Sequence, residues 1–208
     1  LEDLVIPGED GFERWRRDWV KRSGVARVSP SGAAASSNRP TLCLVVSADG
    51  EIGTRIASAA FVVAERLTRL RWLTLLSEPM VHLASKAADT PGQVAARLGA
   101  DYLLICTASP KREMALQLHE TGRGAEIWSA CHAMPERLDP LAIGALAEAA
   151  VAALSVKIGL DQEMRALDRG PSHRLNSGEK VWRARWHMKR LTREDGAMAR
   201  RLLEEAAS

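Results

Sequence analysis

Between residues 41 and 167 the apolar positions change period repeatedly, and that alternation limits the fold more than any other feature of the chain. TLCLVVS (41–47) is a continuous β-type run. Residues 53–70 place Ile56, Ala60, Val63, Leu67 and Leu70 at helical spacing, and WLTLLS (72–77) returns to strand character. Such a β-α-β unit favours parallel pairing through a right-handed crossover. Pro91 opens a short second helix, PGQVAARLG, whose Val94, Ala95 and Leu98 share a face and which stops at Gly99. ADYLLICTAS (100–109) supplies a third strand. EMALQLHE (113–120) and AEIWSACHAM (125–134), separated by turn residues 121–124, alternate as a hairpin with one wetted face. Asp139-Pro140 begins a long Ala-rich helix that runs through Gly159 to Leu167. The predicted class is therefore α/β, a mixed five-stranded sheet in the order β-α-β-α-β-β-β-α with flanking helices. Residues 179–191 and 193–207 add a C-terminal helical hairpin that turns at Thr192.

The flanks differ from this body. Residues 9–22 read as an amphipathic helix that Asp10 caps together with Glu13, with Phe12, Trp15 and Trp19 on one face. A ring stripe of this kind needs something to pack against, so these three are the candidate interaction arm, toward the body, a second copy or another domain. Residues 23–40 have the Ser, Gly, Ala and Pro content of a flexible linker. The chain thus divides into an arm (1–22), a linker (23–40), an α/β domain (41–167) and a helical region (168–208). Beginning with Leu and ending in an unfinished helical pattern, it reads as a piece of a longer polypeptide.

Composition narrows the function class. With 208 residues, 46% hydrophobic and 26% charged, the chain can bury a core, which excludes disorder throughout and a disulfide miniprotein. Apolar stretches such as 57–64 fall short of the roughly 18 residues of a membrane helix, and no signal peptide is legible, so a cytoplasmic protein without a membrane partner is expected. The net charge of +3 divides as +1 over residues 1–40, −1 over 41–160 and +3 over 161–208, so the body is neutral and the excess lies in the tail. Basic runs at 14–22 and 180–190 are diluted by acids or belong to a solvated helix face, so DNA contact is expected only through another module. Cys43, Cys106 and Cys131 are odd in number and widely spaced, which supports neither disulfides nor zinc. In strand-like runs they read as buried thiols.

No nucleophile-elbow pattern occurs and nothing local pairs a base with a nucleophile, so no catalytic residue is expected. ADGEIGTR (48–55) follows a strand and precedes a helix, the position of a phosphate loop, yet it lacks both the G-K-[ST] and the G-x-G-x-x-G signatures. It reads first as a β-to-α turn capped by Thr54. The residues at the carboxyl ends of the parallel strands, Ser47, Asp49, Arg55 and Ser77, remain a candidate ligand or anion pocket. His119 and His132 lie about symmetrically around the hairpin turn, but Glu120 points to the face opposite His119. They read as solvent-face histidines, and neither a metal nor a cofactor is expected.

The segment LGADYLLICTASPKREMALQLHETGRGAEIWSA (98–130) resembles bacterial TolB-amino-terminal-like domains. The likeness rests on Leu98-Gly99, Tyr102-Leu103-Leu104, Gln117-Leu118 with Glu120, Gly122 and Ile127-Trp128-Ser129. The helix 93–97 and Leu67-Thr68-Arg69-Leu70 match as well. The resemblance implies an α/β domain followed by tetratricopeptide repeats and preceded by a DNA-binding transcriptional regulator or a class III adenylyl cyclase. It also implies that Trp182 or Trp186 is the bulky residue of a repeat's first helix, with Ala199, Leu203 and Ala206 in its second. Residues 1–22 are similar to the last helix of the activator domain of SARP-type regulators, which favours transcription. The compact loop 48–54 departs from the family's longer one and reduces any pocket there. What is expected is a non-enzymatic regulatory or interaction domain that contacts other protein domains, with a homodimer among the options. Regulation of an attached cyclase or small-molecule sensing are the alternatives.

Overall fold

The computed structural model describes residues 38–47, 50–76, 90–109, 111–135 and 139–208; Phe12, Trp15 and Trp19, with the linker to residue 37, lie outside them. The elements are β1 (Thr41–Ser47), α1 (Gly50–Leu67), β2 (Thr74–Leu76), α2 (Pro91–Arg97), β3 (Tyr102–Ala108), β4 (Met114–Glu120), β5 (Ala125–His132), α3 (Pro140–Asp168), α4 (Ser177–Met188) and α5 (Arg193–Ala207). A 3-10 turn at Ser172–Arg174 precedes α4. The order is the one that the period changes predict. The described residues group into two compact units, 40–151 and 152–208 with 38–39. The border falls inside α3, after Val151, whereas the sequence reading placed it where that helix stops.

In the first unit the sheet order is β2-β1-β3-β4-β5, with β1 parallel to β2 and β3, and with β4 and β5 antiparallel. From β1 the chain moves outward to β2 and then back past β1 to β3. Right-handed crossovers in opposite directions put α1 and α2 on opposite faces. Face assignment follows from burial: Ala95 and Ala100 join Cys43 and Leu103 in one buried cluster, which is the α2 face. The other face carries Leu42, Leu104, Leu116 and Leu118, all fully buried, and α1 presents Ile56, Ala60 and Val63. Being covered on both sides, β3 is buried at Tyr102, Leu103 and Leu104 in succession rather than in alternation. β4 alternates instead, with Met114, Leu116, Leu118 and Glu120 inward.

Two local readings are corrected. α1 begins at Gly50, so Thr54 lies inside the helix and does not cap it; its carbonyl accepts from the Ser58 hydroxyl at 3.0 Å. Glu51 in the first turn supplies the negative charge that favours an earlier start. α2 starts as expected at Pro91, with Thr90 and Gln93 forming a reciprocal capping box.

α3 is long and apolar enough, by length and composition, to cross a membrane, which corrects the reading that no stretch reaches that size; 33% of its apolar window is buried. Ile143, Ala147 and Ala150 are core residues of the first unit, and Leu154 and Ile158 are core residues of the second. A helix that serves two cores has no wholly polar side.

The second unit packs α4 and α5 as an antiparallel pair around buried Ala184, Ala199 and Leu202. Asn176 and Glu179 form a capping box at the start of α4, and Thr192 caps α5. The Arg183 guanidinium donates to the carbonyls of Ala166 and, at 3.2 Å, Leu167, which closes the last turn of α3. Trp182 is buried over Gly159, where an added Cβ would lie 3.7 Å from the ring, an ordinary contact. Gly159→Ala therefore gains helix propensity without a clash, and urea denaturation should show about 0.5–1 kcal/mol of added stability. A destabilised variant would mean that the ring sits closer than this.

Candidate functional site

The helical hairpin carries a shallow, largely apolar groove of about 490 Å³. Its floor is Met188 at the end of α4 and Gly196, Ala199, Leu203 and Ala207 along α5. These α5 positions are spaced three and four residues apart, so they form one row along the helix. Arg200 and Glu204 flank the row. Ala199 is buried, while Leu203 remains 38% exposed and Met188 47% exposed.

The turn that aligns α4 with α5 is held by polar contacts. His187 Nδ1 lies 2.7 Å from Asp195 Oδ1, and the Thr192 hydroxyl donates to Asp195 Oδ2 at 2.6 Å. Arg190 donates to the same oxygen at 3.1 Å. Hydrogen bonds from Thr192 and His187 hold the Asp195 carboxyl below the ordinary aspartate value. Behind the hairpin, the buried Glu163 carboxylate accepts from Lys189 Nζ at 2.7 Å through both oxygens, and Arg185 Nε lies 3.7 Å away. The Arg185 and Arg190 guanidinium groups sit 4.8 Å over the rings of Trp182 and Trp186, respectively.

The repeat-type residues are thus placed as follows. Trp182 and Ala199 are buried, and Trp186 and Ala206 are half-buried. Leu202 fills the core position that the sequence reading gave to Leu203, which instead lines the groove. The two differ by about 100° around the helix, and Ala184 sits on the Leu202 side. The groove itself was not legible, because it depends on which of these leucines turns outward.

At the sheet end, Ser47 is exposed and pairs in register with Thr107. Arg55 donates to the carbonyl of Pro135, so its guanidinium is engaged within the unit. Asp49 and Ser77 lie outside the described residues.

The hairpin histidines are not opposite one another. His132 pairs with Met114 and His119 with Glu126, because the turn falls at residues 121–124, so that His119 lies two residues before it and His132 eight after it. Neither is simply solvent-facing, since each is half-buried with its Nε2 shielded and without a hydrogen-bond partner among the described residues.

Cys131 also departs from expectation. It is exposed on β5, at the edge of the described sheet, whereas burial pushes Cys43 up to about 11 and Cys106 to about 12. Thiol titration with an aromatic disulfide reagent at neutral pH should therefore modify one cysteine rapidly, Cys131. The other two should react only when the protein unfolds; fast modification of two or three thiols in the folded protein would contradict this.

No protein-family model and no curated protein matches the chain. Solved structures with a similar fold include TolB from Acinetobacter baumannii, with 14% identity and a TM-score of 0.42 over 61% of this chain. The LpoB C-terminal domain from Escherichia coli is similar at 22% identity and a TM-score of 0.35, over 44% of this chain and 79% of that one. PelC from Paraburkholderia phytofirmans is similar at 15% identity and a TM-score of 0.34, over 56% of this chain and 89% of that one. The chain spans 30% of the length of the TolB structure.

Proposed function

We propose that the chain is a non-enzymatic interaction module of a cytoplasmic bacterial transcriptional regulator, with the α4–α5 hairpin as its docking element. The observation that carries this is the apolar groove along α5, which lies beside a pair of helices already packed on Ala184, Ala199 and Leu202. Two amphipathic helices with Trp182 in the first and Ala199 in the second have the pairing that the tetratricopeptide resemblance implies. Helical repeats of that kind leave a face on which a neighbouring helix stacks. Exposed Leu203 and Met188 supply the apolar contact that such stacking needs. The output function rests on the likeness of residues 1–22 to an activator domain, and DNA contact belongs to that output module.

Two measurements test the two halves of this reading. A photo-crosslinking amino acid at position 203, in the full chain inside cells, should yield a discrete protein adduct that the same residue at position 201 does not. Failure to capture any protein from position 203 would remove the docking role. The coding sequence upstream of Leu1 should encode a winged-helix and helical activator region. A cyclase catalytic domain there would replace the regulator by a nucleotide-signalling enzyme.

A further inference from the structure

Resting on that docking reading, we infer that the groove's occupant is α5 of a second copy of this chain, laid antiparallel across a two-fold axis near Leu202. The charges on the groove's flank carry the argument. Arg201 and Glu205, on the side away from the groove, pair with each other at 2.9 Å. Arg200 and Glu204 have the same spacing and are exposed, yet neither has an ion-pair partner among the described residues.

In an antiparallel two-fold pair of helices, each flank faces the same flank of the other copy. Arg200 and Glu204 share a flank, so an axis near Leu202 sets Arg200 of each copy against Glu204 of the other, giving two equivalent ion pairs. The floor is self-complementary in the same arrangement. The small half, Gly196 above buried Ala199, comes to lie against the Leu203 and Ala207 half of the other helix. Glycine and alanine allow the close interaxial approach that such packing needs. α5 has 15 residues, about 22 Å of helix, so the contact is at the small end of interface sizes and the dimer is weak.

Sedimentation velocity on the full chain over a concentration series tests this. The wild-type coefficient should rise with concentration. Arg200→Glu or Glu204→Arg alone sets like charges opposite each other twice and should weaken dimerisation about tenfold. The double variant R200E/E204R restores the pairing in reverse and should return to within about threefold of wild type. Both positions are exposed, and unchanged circular dichroism confirms that the variants fold.

A wild-type chain that remains monomeric at the highest concentration it tolerates would overturn the inference, as would a double variant no better than the single ones. A position-203 crosslink to a different protein, together with a monomeric chain, would sink the self-association while leaving the docking reading intact. Absence of any crosslink would sink both.

Discussion

Trp182→Ala should destabilise the helical unit by about 3–5 kcal/mol, enough to remove most of the stability of a small helical assembly. The indole is buried, with Gly159 against its edge and the Arg185 guanidinium 4.8 Å over its face. Truncation empties the space over Gly159, which has no side chain to refill it. Arg185 also loses its aromatic platform and keeps the longer contact to Glu163. The effect reaches the groove, because Trp182 seats α4 and α4 supplies Met188. Far-UV circular dichroism during urea denaturation measures this directly. Trp182→Phe, which keeps an aromatic body, should recover a large part of the loss. A cost below about 1 kcal/mol for the alanine variant would mean that α4 is held mainly by the Glu163–Lys189 pair.

What the sequence discloses is whatever depends on periodicity along the chain. β1 coincides with TLCLVVS, Pro91 starts α2 through local capping, and β4 alternates inward and outward as its residues do. α3 continues through Gly159 to Asp168 because a lone glycine costs a helix less than its neighbours return. The errors fall where a second element decides. The shift between Leu118 and His119 is a property of the pairing of two strands, and neither strand alone discloses it. Cys131 turns outward because it pairs with Ala115, on the face opposite inward Met114 and Leu116, and AEIWSACHAM alone does not fix that register. Leu202 and Leu203 are chemically equal, and only the position of α4 selects one for the core. Glu163 and Lys189 stand 26 positions apart, so their pairing is invisible to local spacing. The groove inherits these decisions and is a tertiary feature throughout.

Glu120→Ala should cost the sheet unit about 2–3 kcal/mol. Glu120 is 3% exposed and closes the inward row Met114, Leu116, Leu118 of β4, an unusual place for a carboxylate. Its charge is met by the turn that follows. The backbone N–H groups of Gly122 and Arg123 donate to it at 3.1 and 2.7 Å, and Arg123 Nε donates at 3.0 Å. The Arg123 side chain is 60% exposed, so its ion pair contributes little, and the two amide bonds carry most of the effect. These bonds fix the turn between β4 and β5, which ends at Gly124 with a positive φ of 63°. Glu120→Gln keeps the side-chain volume but loses the charge that strengthens both amide bonds, so it should fall between wild type and the alanine variant. Gly122→Ala offers an independent check, since its Cβ would lie 2.9 Å from Glu120 Oε1 and the carboxylate must shift to admit it. Urea denaturation should place Glu120→Ala as the less stable of the two Glu120 variants, with Glu120→Gln between it and wild type. Amide hydrogen exchange at Arg123 should rise in all three. An Arg123 amide as protected in Glu120→Ala as in wild type would show that the turn holds without the carboxylate.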